Sequence, residues 1–423
     1  MIVMKFGGTS VESAAAIERV AGIVKARAQP GLAKGGPVVV VSAMGKTTNN
    51  LLAIASAAVA GKREDFIRRI HDLRDLHSRQ ARLVVPLSER AGLDRFLDEN
   101  FQELTELVKG LAVLGELTPR SIDAISSYGE RLSSYIVTLA FRHFDLAAEH
   151  LDSRDVIVTD RRHTHAAPLF PETYKRLAAA IPPIAARSVV VMGGFIGSTE
   201  DGVTTTLGRG GSDFTASIVG AGIGAEEIQI WTDVDGMLTA DPTILPGGHR
   251  VKTISFAEAV HCANAVKSIA CKRQIAVVNI HSTRMLMAHG FLHRIFEIFD
   301  RFETPVDMVA TSEISVSLTI DHLERLDEIQ SELRQFADVE IEKNQAIVCL
   351  VGDNIRYTPG VARRVFNALE GINIRMISQG ASLLNLSFVI AESNVRPTVA
   401  ALHSEFFSQL DDAVFERNEA VHA

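Results

Sequence analysis

The chain has 423 residues, a formal net charge of −8 and three cysteines. Its length allows two or three domains, its negative charge argues against nucleic acid as a partner, and its cysteines show neither a disulfide framework nor zinc-site spacing. The N-terminus lacks the basic and then apolar pattern of a signal peptide, and no apolar run is long enough to span a bilayer. The sequence therefore predicts a cytoplasmic protein without a membrane or nucleic-acid partner.

Four apolar β-strands are predicted in the first half of the chain, at residues 2–4, 37–42, 189–192 and 228–231. Each leads into a loop of glycine and small polar residues. Because open α/β sheets bind ligands at the carboxyl ends of their strands, we expect these loops to form one site. The first loop carries Lys5, Gly7 and Gly8 and precedes a helix predicted from about Val11. Such a turn favours an anion that Lys5 could reach; the alternative is an ordinary turn beside a strand-end lysine.

Residues 205–213, with the sequence TTLGRGGSD, are the most informative segment of the chain. Glycine lets the backbone approach an anion closely, and Arg209 provides a planar charged fork for a carboxylate or a phosphate. The segment therefore predicts a phosphoryl-transfer site, with a glycine-rich surface turn as the alternative. The chain lacks the Gly-x-x-x-x-Gly-Lys-Ser/Thr sequence of P-loop proteins, so that class is excluded.

Residues 63–117 combine apolar positions at helical spacing with many charges, which predicts amphipathic helices that cover the sheet. Further along, His163 and His165 lie in a polar loop and could be a metal-binding pair. A third ligand does not accompany them in the sequence, and surface histidines are the more common explanation. We therefore assign them no role.

An internal repeat begins after a strand predicted at residues 266–270. Residues 290–296 and 360–366 each start with glycine and predict a helix. The two helices are followed by strands at residues 306–309 and 374–377, and then by alternating strands at residues 314–319 and 384–389. The sequence thus predicts two copies of a βαββ module, which needs a partner sheet in any case and could serve dimerisation alone.

The motifs together resemble those of the aspartate kinase family. They are KFGGTSV at residues 5–11, SAMG at 42–45, Gly129-Glu130, residues 205–213 and WTDV at 231–234. The resemblance implies an α/β fold: an amino-acid-kinase three-layer αβα sandwich at residues 1–260, followed by two ACT-like domains at 261–338 and 339–423. It also implies phosphoryl transfer from ATP to L-aspartate, giving 4-phospho-L-aspartate for lysine, threonine and methionine biosynthesis.

The resemblance assigns roles to individual residues of this sequence. Lys5 would stabilise charge on the transferring phosphoryl group, and Asp213 would hold and orient that lysine. The aspartate pocket would consist of Thr47, Glu130, Arg209 and Ser212. Glu130 would pair with the substrate ammonium and Arg209 with its α-carboxylate. Without the resemblance, a surface ion pair between Glu130 and Arg131 would be the preferred interpretation of that glutamate.

For the nucleotide, the implied contacts are Lys5, Gly7, Gly8, Thr232, Asp233 and Leu238. The acceptor is a carboxylate with a reference pKa near 3.9, so it is ionised at neutral pH and needs no general base. Catalysis then requires the two anions to be aligned and their charge neutralised. We expect Mg²⁺ to be held mainly by the ATP phosphates and water, without an assigned protein ligand.

The ACT-like modules imply a homodimer, or a higher homo-oligomer, that binds an amino-acid effector. Lysine is the first candidate and threonine the second. The implied effector residues are Met285, Ala288, Gly290, Phe291, Val306, Asp307, Ser312 and Glu313, with Asp307 opposite the effector ammonium. Ala288 and Pro305 stand where lysine-sensitive relatives tend to have serines, so the identity of the effector, lysine, threonine or none, is left open.

The chain also departs from the family. After Ala259 the family normally continues with Phe-Gly-x-Lys-Val-Leu-His-Pro, a helix and a strand, and that block is absent. Its loss could weaken ATP binding or expose apolar surface. In addition, Leu238 and Thr243 stand where relatives often have an aromatic residue and an arginine that contact the nucleotide. A non-catalytic amino-acid sensor or dimerisation partner is therefore the alternative function. A third hypothesis is kinase activity on another carboxylate such as glutamate.

Overall fold

The computed structural model describes residues 1–28, 35–208, 210–233, 236–252, 265–282, 290–380, 382–412 and 414–416. The chain divides into two compact units, Met1–Val234 and Asp235–Ala423. The domain boundary expected at residue 260 lies outside the described residues, and the compact units divide earlier than that.

The first unit contains a parallel five-stranded sheet and a small three-stranded sheet. The parallel sheet has the order β3-β5-β2-β1-β8, formed by β3 (Ala148–Leu151), β5 (Val189–Gly193), β2 (Val38–Val41), β1 (Ile2–Phe6) and β8 (Glu227–Trp231). The small sheet has the order β4-β6-β7, formed by β4 (Val158–Thr159), β6 (Ile196–Thr199) and β7 (Thr204–Thr206). All four strands predicted from the sequence are present.

Eight helices are described in this unit. They are α1 (Ala14–Arg27), α2 (Thr47–Val59), α3 (Arg63–Val84), α4 (Arg90–Leu114), α5 (Pro119–His143), α6 (Ser153–Val156), α7 (Phe170–Ala185) and α8 (Gly211–Gly222). Along β2, Val39 and Val41 pack in a core with α1 to α5, whereas Val38 and Val40 pack in a core with α6 to α8. Alternate strand residues thus bury opposite faces of the sheet, which confirms the predicted αβα sandwich.

The first helix begins later than the sequence predicts. Thr9–Val11 forms a single 3₁₀ turn, and α1 begins at Ala14, where the side-chain oxygen of the extended Ser13 accepts a hydrogen bond from the Ala16 N–H at 3.3 Å. A serine cap of this kind fixes the start of an α-helix. The glycine loop after β1 is therefore followed by a 3₁₀ turn, and the predicted start at Val11 was wrong.

β8 is the edge strand of the described sheet next to β1. Its Ile228 and Ile230 are 40% and 46% exposed. In a parallel sheet that helices cover on both faces, such side chains would be buried. The exposure agrees with the apolar surface expected from the block that this sequence lacks.

The second unit is built on an antiparallel six-stranded sheet with the order β11-β12-β10-β13-β15-β14. The strands are β10 (Val266–His281), β11 (Val309–Thr311), β12 (Ser315–Ile320), β13 (Asp338–Gly352), β14 (Ile374–Gln379) and β15 (Asn385–Ala391). Four helices are described here: α9 (Phe291–Arg301), α10 (Leu326–Leu333), α11 (Val361–Ala368) and α12 (Val395–Phe407). A short pair, β9 (Arg250–Val251) and β16 (Phe415–Glu416), completes the unit.

The two modules share their long strands, so the predicted boundary between residues 338 and 339 does not separate them. Val266 and Ile269, from the first half of β10, belong to a core with α11 and α12. Ala276 and Val278, from its second half, belong to a core with α9 and α10. The strand predicted at residues 266–270 thus completes the second module, and each module has a second helix that the βαββ prediction missed. The ACT-like fold itself is confirmed.

One predicted strand is displaced. Residues 306–309 were predicted to be extended, but β11 begins only at Val309. Before it, the Asp307 N–H donates to the Thr319 carbonyl at 3.0 Å, and the Met308 N–H donates to the Thr319 hydroxyl. The Thr319 N–H in turn donates to the Met308 carbonyl at 3.0 Å, so Thr319 faces two residues, and this bulge in the ladder explains the later start. Among the described helices, none is both long and apolar enough to cross a membrane.

Candidate active site

A cavity of about 620 Å³ opens in the first unit at the carboxyl ends of β1 and β2. Five residues to which the resemblance assigns a role line it: Lys5, Gly8, Glu130, Ser212 and Asp213. They come from the end of β1, the loop after it, the middle of α5 and the first turn of α8. The structure therefore brings together most of the predicted loops, as the parallel sheet requires.

Lys5 and Asp213 form an ion pair in this cavity. The Lys5 Nζ lies 2.6 Å from the Asp213 Oδ1, and their side chains are 11% and 54% exposed. Lys5 stands near the end of a central strand, and Asp213 stands in the first turn of α8. Gly210, which has a φ of +75°, starts this helix, and its first residues also line the cavity. An ammonium and a helix N-terminus together favour an anion here.

Glycines allow close contacts between the elements of the site. A Cβ on Gly8 would lie 2.9 Å from the Ala43 carbonyl oxygen, and the Gly45 N–H donates to the Gly8 carbonyl at 3.0 Å. A Cβ on Gly129 would lie 2.7 Å from the Ala43 Cβ. Gly8 thus joins the first two loops, and Gly129 brings α5 against the second.

Glu130 is a buried carboxyl group with one unpartnered oxygen. Its Oε1 accepts a hydrogen bond from the Ala43 N–H at 3.1 Å, and its buried Oε2 has no hydrogen-bond partner among the described residues. The residue is 4% exposed, and burial raises its pKa from 4.5 to about 8. An ammonium group in the cavity would satisfy the free oxygen and favour the ionised form. The alternative of an ion pair with Arg131 was wrong, because that arginine pairs with Glu103 at 3.4 Å.

Thr47 does not line the cavity, contrary to the prediction. Its hydroxyl donates to the Met44 carbonyl at 2.6 Å, and the residue is fully buried. It begins α2, where turn geometry directs its hydroxyl back to the preceding loop. Thr48 and Asn49, the next two residues, line the cavity instead. The sequence contained both threonines but could not show which of them faces the site.

The loop after β4 supplies cavity residues that the sequence analysis missed. Thr164 and His165 line the cavity, although we had assigned His165 no role. His163 lies behind them with its Nδ1 2.7 Å from the Asp123 Oδ2. Groups of three or more metal-ligating side chains do not occur among the described residues. No local motif connects this loop with α5, and only the tertiary fold brings them together.

Thr232 and Asp233 follow β8, which pairs in parallel with β1. Both are exposed, and the Thr232 hydroxyl donates to the Asp233 Oδ1 at 3.1 Å. In front of them, the Gly7 N–H donates to the Trp231 carbonyl at 3.3 Å. Both residues thus stand at the same edge of the sheet as the glycine loop. Leu238 belongs to the second unit, where it bridges to Arg250, and Arg209 lies outside the described residues.

The expected effector residues lie in the second unit. Gly290 starts α9 with a φ of +82°, and Phe291 is its first residue. Val306 packs in the core of the first module, whereas Ser312 and Glu313 are exposed before β12. Met285 and Ala288 lie outside the described residues.

Asp307 already pairs with a lysine of its own chain. The Lys272 Nζ lies 2.7 Å from carboxylate oxygens of both Asp307 and Asp321. Although partial burial opposes the charge on this lysine, the hydrogen bonds to the two carboxylates raise its pKa. An effector ammonium at Asp307 would therefore compete with Lys272.

Comparisons with known proteins agree with this geometry. Residues 1–276 match the amino acid kinase family, and residues 348–406 match an ACT domain. Aspartokinase 1, chloroplastic, of Arabidopsis thaliana is 33% identical over 97% of this chain and 80% of its own length. Lysine-sensitive aspartokinase 3 of Escherichia coli (strain K12) is 32% identical over 96% of this chain and 99% of its own length.

Two solved structures of E. coli aspartokinase III are similar to the whole chain. Its complex with aspartate and ADP has a TM-score of 0.81 and 30% identity over 96% of this chain and 100% of that chain. Its complex with lysine and aspartate has a TM-score of 0.73 and 29% identity over 96% of this chain and 99% of that chain.

The relatives also bear on the block expected after Ala259. The alignment with the Arabidopsis protein spans 479 positions, whereas 97% of 423 residues is about 410, which leaves about 69 positions without a residue here. The similarity nevertheless extends through both parts of the chain and does not favour the non-catalytic alternative. The chain therefore belongs to the aspartokinase family, a branch of the amino acid kinase family with C-terminal ACT domains.

Proposed function

We propose that this protein transfers the γ-phosphoryl group of ATP to the side-chain carboxylate of L-aspartate, forming 4-phospho-L-aspartate and ADP. One observation carries the proposal: a single cavity is lined by the Lys5–Asp213 pair and by Glu130, whose buried Oε2 has no partner among the described residues. The first suits a phosphoryl group, and the second suits the ammonium of an amino acid. The reaction would be the first step of lysine, threonine and methionine biosynthesis, and we expect it to occur in the cytoplasm.

The acceptor needs orientation rather than activation. The side-chain carboxylate of aspartate is ionised at neutral pH and can attack phosphorus without a general base. Glu130 would accept a hydrogen bond from the substrate ammonium through its free Oε2. Arg209 would hold the α-carboxylate, and the Ser212 hydroxyl would contact the same substrate. Binding of both ends leaves the reactive carboxylate directed at the phosphoryl group.

The phosphoryl donor would bind at the lysine end of the cavity. Lys5 would neutralise charge on the transferring group, and the carboxylate of Asp213 holds its ammonium in place at 2.6 Å. The loop with Gly7 and Gly8 would contact the phosphates. Thr232 and Asp233 would lie beside the nucleotide, because they follow the strand next to β1.

Mg²⁺ is expected to accompany ATP. A cluster of three metal-ligating side chains does not occur in the part of the chain that the structure describes. Magnesium commonly keeps several waters and binds through substrate phosphates with one or two carboxylates. The half-exposed Asp213 carboxylate would be available to such an ion or its waters. The ion would supply charge neutralisation on the phosphates.

Regulation is proposed to act through the ACT-like modules. Lysine is the first candidate effector, because a relative that covers nearly the whole chain is described as lysine-sensitive, and threonine is the second. The modules would pair between two copies of the chain as a homodimer. Effector binding would then favour one arrangement of the dimer, with a coupling of about 1 to 3 kcal/mol.

Trapping the acyl phosphate with hydroxylamine tests the reaction. Purified protein with ATP, Mg²⁺ and aspartate should form aspartyl hydroxamate, and Lys5→Ala protein prepared in parallel should form little. Glutamate should be a poor acceptor at the same concentration. Absence of hydroxamate from the wild type would support the non-catalytic alternative, and faster reaction with glutamate would assign another substrate.

A further inference from the structure

Asp123 is a fully buried carboxylate behind the cavity. It lies on α5, seven residues before Glu130, and seven residues bring a helical position back to the same face. Its carboxylate accepts hydrogen bonds from the Thr206 hydroxyl at 2.5 Å and from the Thr164 N–H at 3.0 and 3.1 Å. The His163 Nδ1 lies 2.7 Å away. Three donors from two other elements thus meet on one side chain.

The donors belong to elements that form the cavity wall. Thr164 and Thr206 both line the cavity, whereas His163 stands behind them. Thr164 has a φ of +70°, which is unusual for a β-branched residue. Its N–H is held by Asp123, and its hydroxyl lies 3.0 Å from the His165 Nδ1. Strained backbone of this kind persists only where the surrounding contacts enforce it.

Burying a carboxylate is unfavourable unless its oxygens are well hydrogen-bonded. Hydrogen bonds satisfy both oxygens of Asp123, and its partners among the described residues are His163 and two threonines rather than a lysine or arginine. An apolar side chain of similar size would fill the same space without that desolvation penalty. A requirement for the geometry of this network explains the buried charge better than packing does.

We propose that Asp123 is a positioning residue for the bound amino acid. It holds Thr206 and the Thr164 turn at fixed positions relative to Glu130, so the wall around the acceptor is set before the substrate binds. This inference rests on the proposed aspartate kinase reaction. Loss of the network should weaken binding of the amino acid and leave the phosphoryl end, with its Lys5–Asp213 pair, intact.

Two substitutions at position 123 separate the network from packing. Asp123→Ala removes every acceptor. In Asp123→Asn the carbonyl oxygen can accept from Thr164 and Thr206, and the amide can donate to the Nδ1 of His163 in its other tautomer. Ser127→Ala is a matched control, because Ser127 is buried on the same helix and its hydroxyl donates only to the Ala124 carbonyl, at 2.7 Å.

Steady-state kinetics with varied aspartate and varied ATP provide the test. For Asp123→Ala we expect the KM for aspartate to rise roughly 10- to 100-fold, because the wall around the acceptor loses the three hydrogen bonds that hold it in place, with little change in kcat or in the KM for ATP. Asp123→Asn should recover most of this loss, and Ser127→Ala should match the wild type. His163→Ala, outside the cavity lining, should raise the same KM several-fold and should add little in the Asp123→Ala background.

Three results would overturn the inference: an unchanged KM for aspartate in Asp123→Ala, equal damage in the Asn and Ala variants, or a parallel loss of kcat and of affinity for both substrates. Should the Ala variant not fold, His163→Ala decides, and a normal KM for aspartate in it would refute the network. A wild type without activity would instead refute the proposed function.

Discussion

Replacement of Glu130 by glutamine tests the buried carboxyl group. In the folded protein burial raises the pKa of Glu130 from 4.5 to about 8, a change that corresponds to at most about 5 kcal/mol. A carboxyl group whose pKa is raised by folding binds more protons in the native state, so its contribution to stability is present below the unfolded pKa. That contribution is lost as the pH rises through the folded pKa.

Glu130→Gln has no proton to lose and keeps nearly the same shape. Without ligands, the free energy of unfolding of the variant relative to the wild type should therefore increase with pH. Between about pH 5.5 and pH 8 the expected increase is about 3 kcal/mol, followed by a plateau. The sign is opposite to that of a salt-bridged carboxylate, which would be most stabilising at the higher pH.

Urea denaturation at several pH values measures this difference. The single tryptophan of the chain, Trp231, stacks on Phe6 with ring centroids 5.9 Å apart, so its fluorescence reports unfolding of the parallel sheet. Glu172→Gln is the matched control: a hydrogen bond from Arg176 lowers the pKa of Glu172, so it stays ionised throughout. A difference in unfolding free energy between Glu130→Gln and wild type that does not vary with pH would show that folding does not raise the pKa of Glu130.

Ligand binding gives the same group a second signature. Because an ammonium beside Glu130 favours the ionised form, aspartate binding to the wild type below about pH 8 should release a proton and strengthen with pH, by at most about tenfold per unit. The Glu130→Gln variant should bind aspartate weakly and without this proton release, which calorimetry in buffers of different ionisation enthalpy measures. Equal proton release by both proteins would assign the proton elsewhere.

Three further substitutions have expected outcomes. Lys5→Ala should lower kcat by roughly two to three decades with a smaller change in the KM for aspartate, and a near-normal kcat would contradict its assignment. Gly129→Ala should lower both thermal stability and aspartate affinity, because the new Cβ would lie 2.7 Å from the Ala43 Cβ; a wild-type melting temperature and KM would show that the helix can shift freely. Lys272→Met should free Asp307 and lower the lysine concentration for half-inhibition, measured in activity assays, by roughly tenfold. An unchanged or higher concentration would show that Lys272 does not compete with an effector for Asp307.

The sequence predicts the parallel sheet well because its strands carry strong local signals. Four consecutive valines of β2 are fully buried, as expected for a strand covered on both faces. The glycine loops were predicted to converge for the same topological reason, and Lys5, Gly8 and Asp213 do line one cavity. Patterns of this kind depend on residues close together in the chain.

The features that the sequence did not reveal depend on contacts between distant residues. Asp123 and His163 are 40 positions apart, and neither belongs to a motif. The choice between Thr47 and Thr48 is decided by the turn before α2 and not by residue type. In the second unit, the long β10 serves two modules, because its halves pack against different helices. A repeat identified in chain order assigns this strand to only one of the two modules.

Aspartate-dependent release of ADP by the full chain is the most direct measurement of the proposed reaction. We propose that the cavity built by Lys5, Glu130 and Asp213 supports aspartate kinase chemistry, although the alignment with the Arabidopsis relative leaves about 69 positions without a residue in this chain. In a coupled assay with ATP and Mg²⁺, ADP release should require aspartate and should be nearly abolished in Lys5→Ala. Tight aspartate binding by calorimetry without any aspartate-dependent ADP release would contradict this proposal.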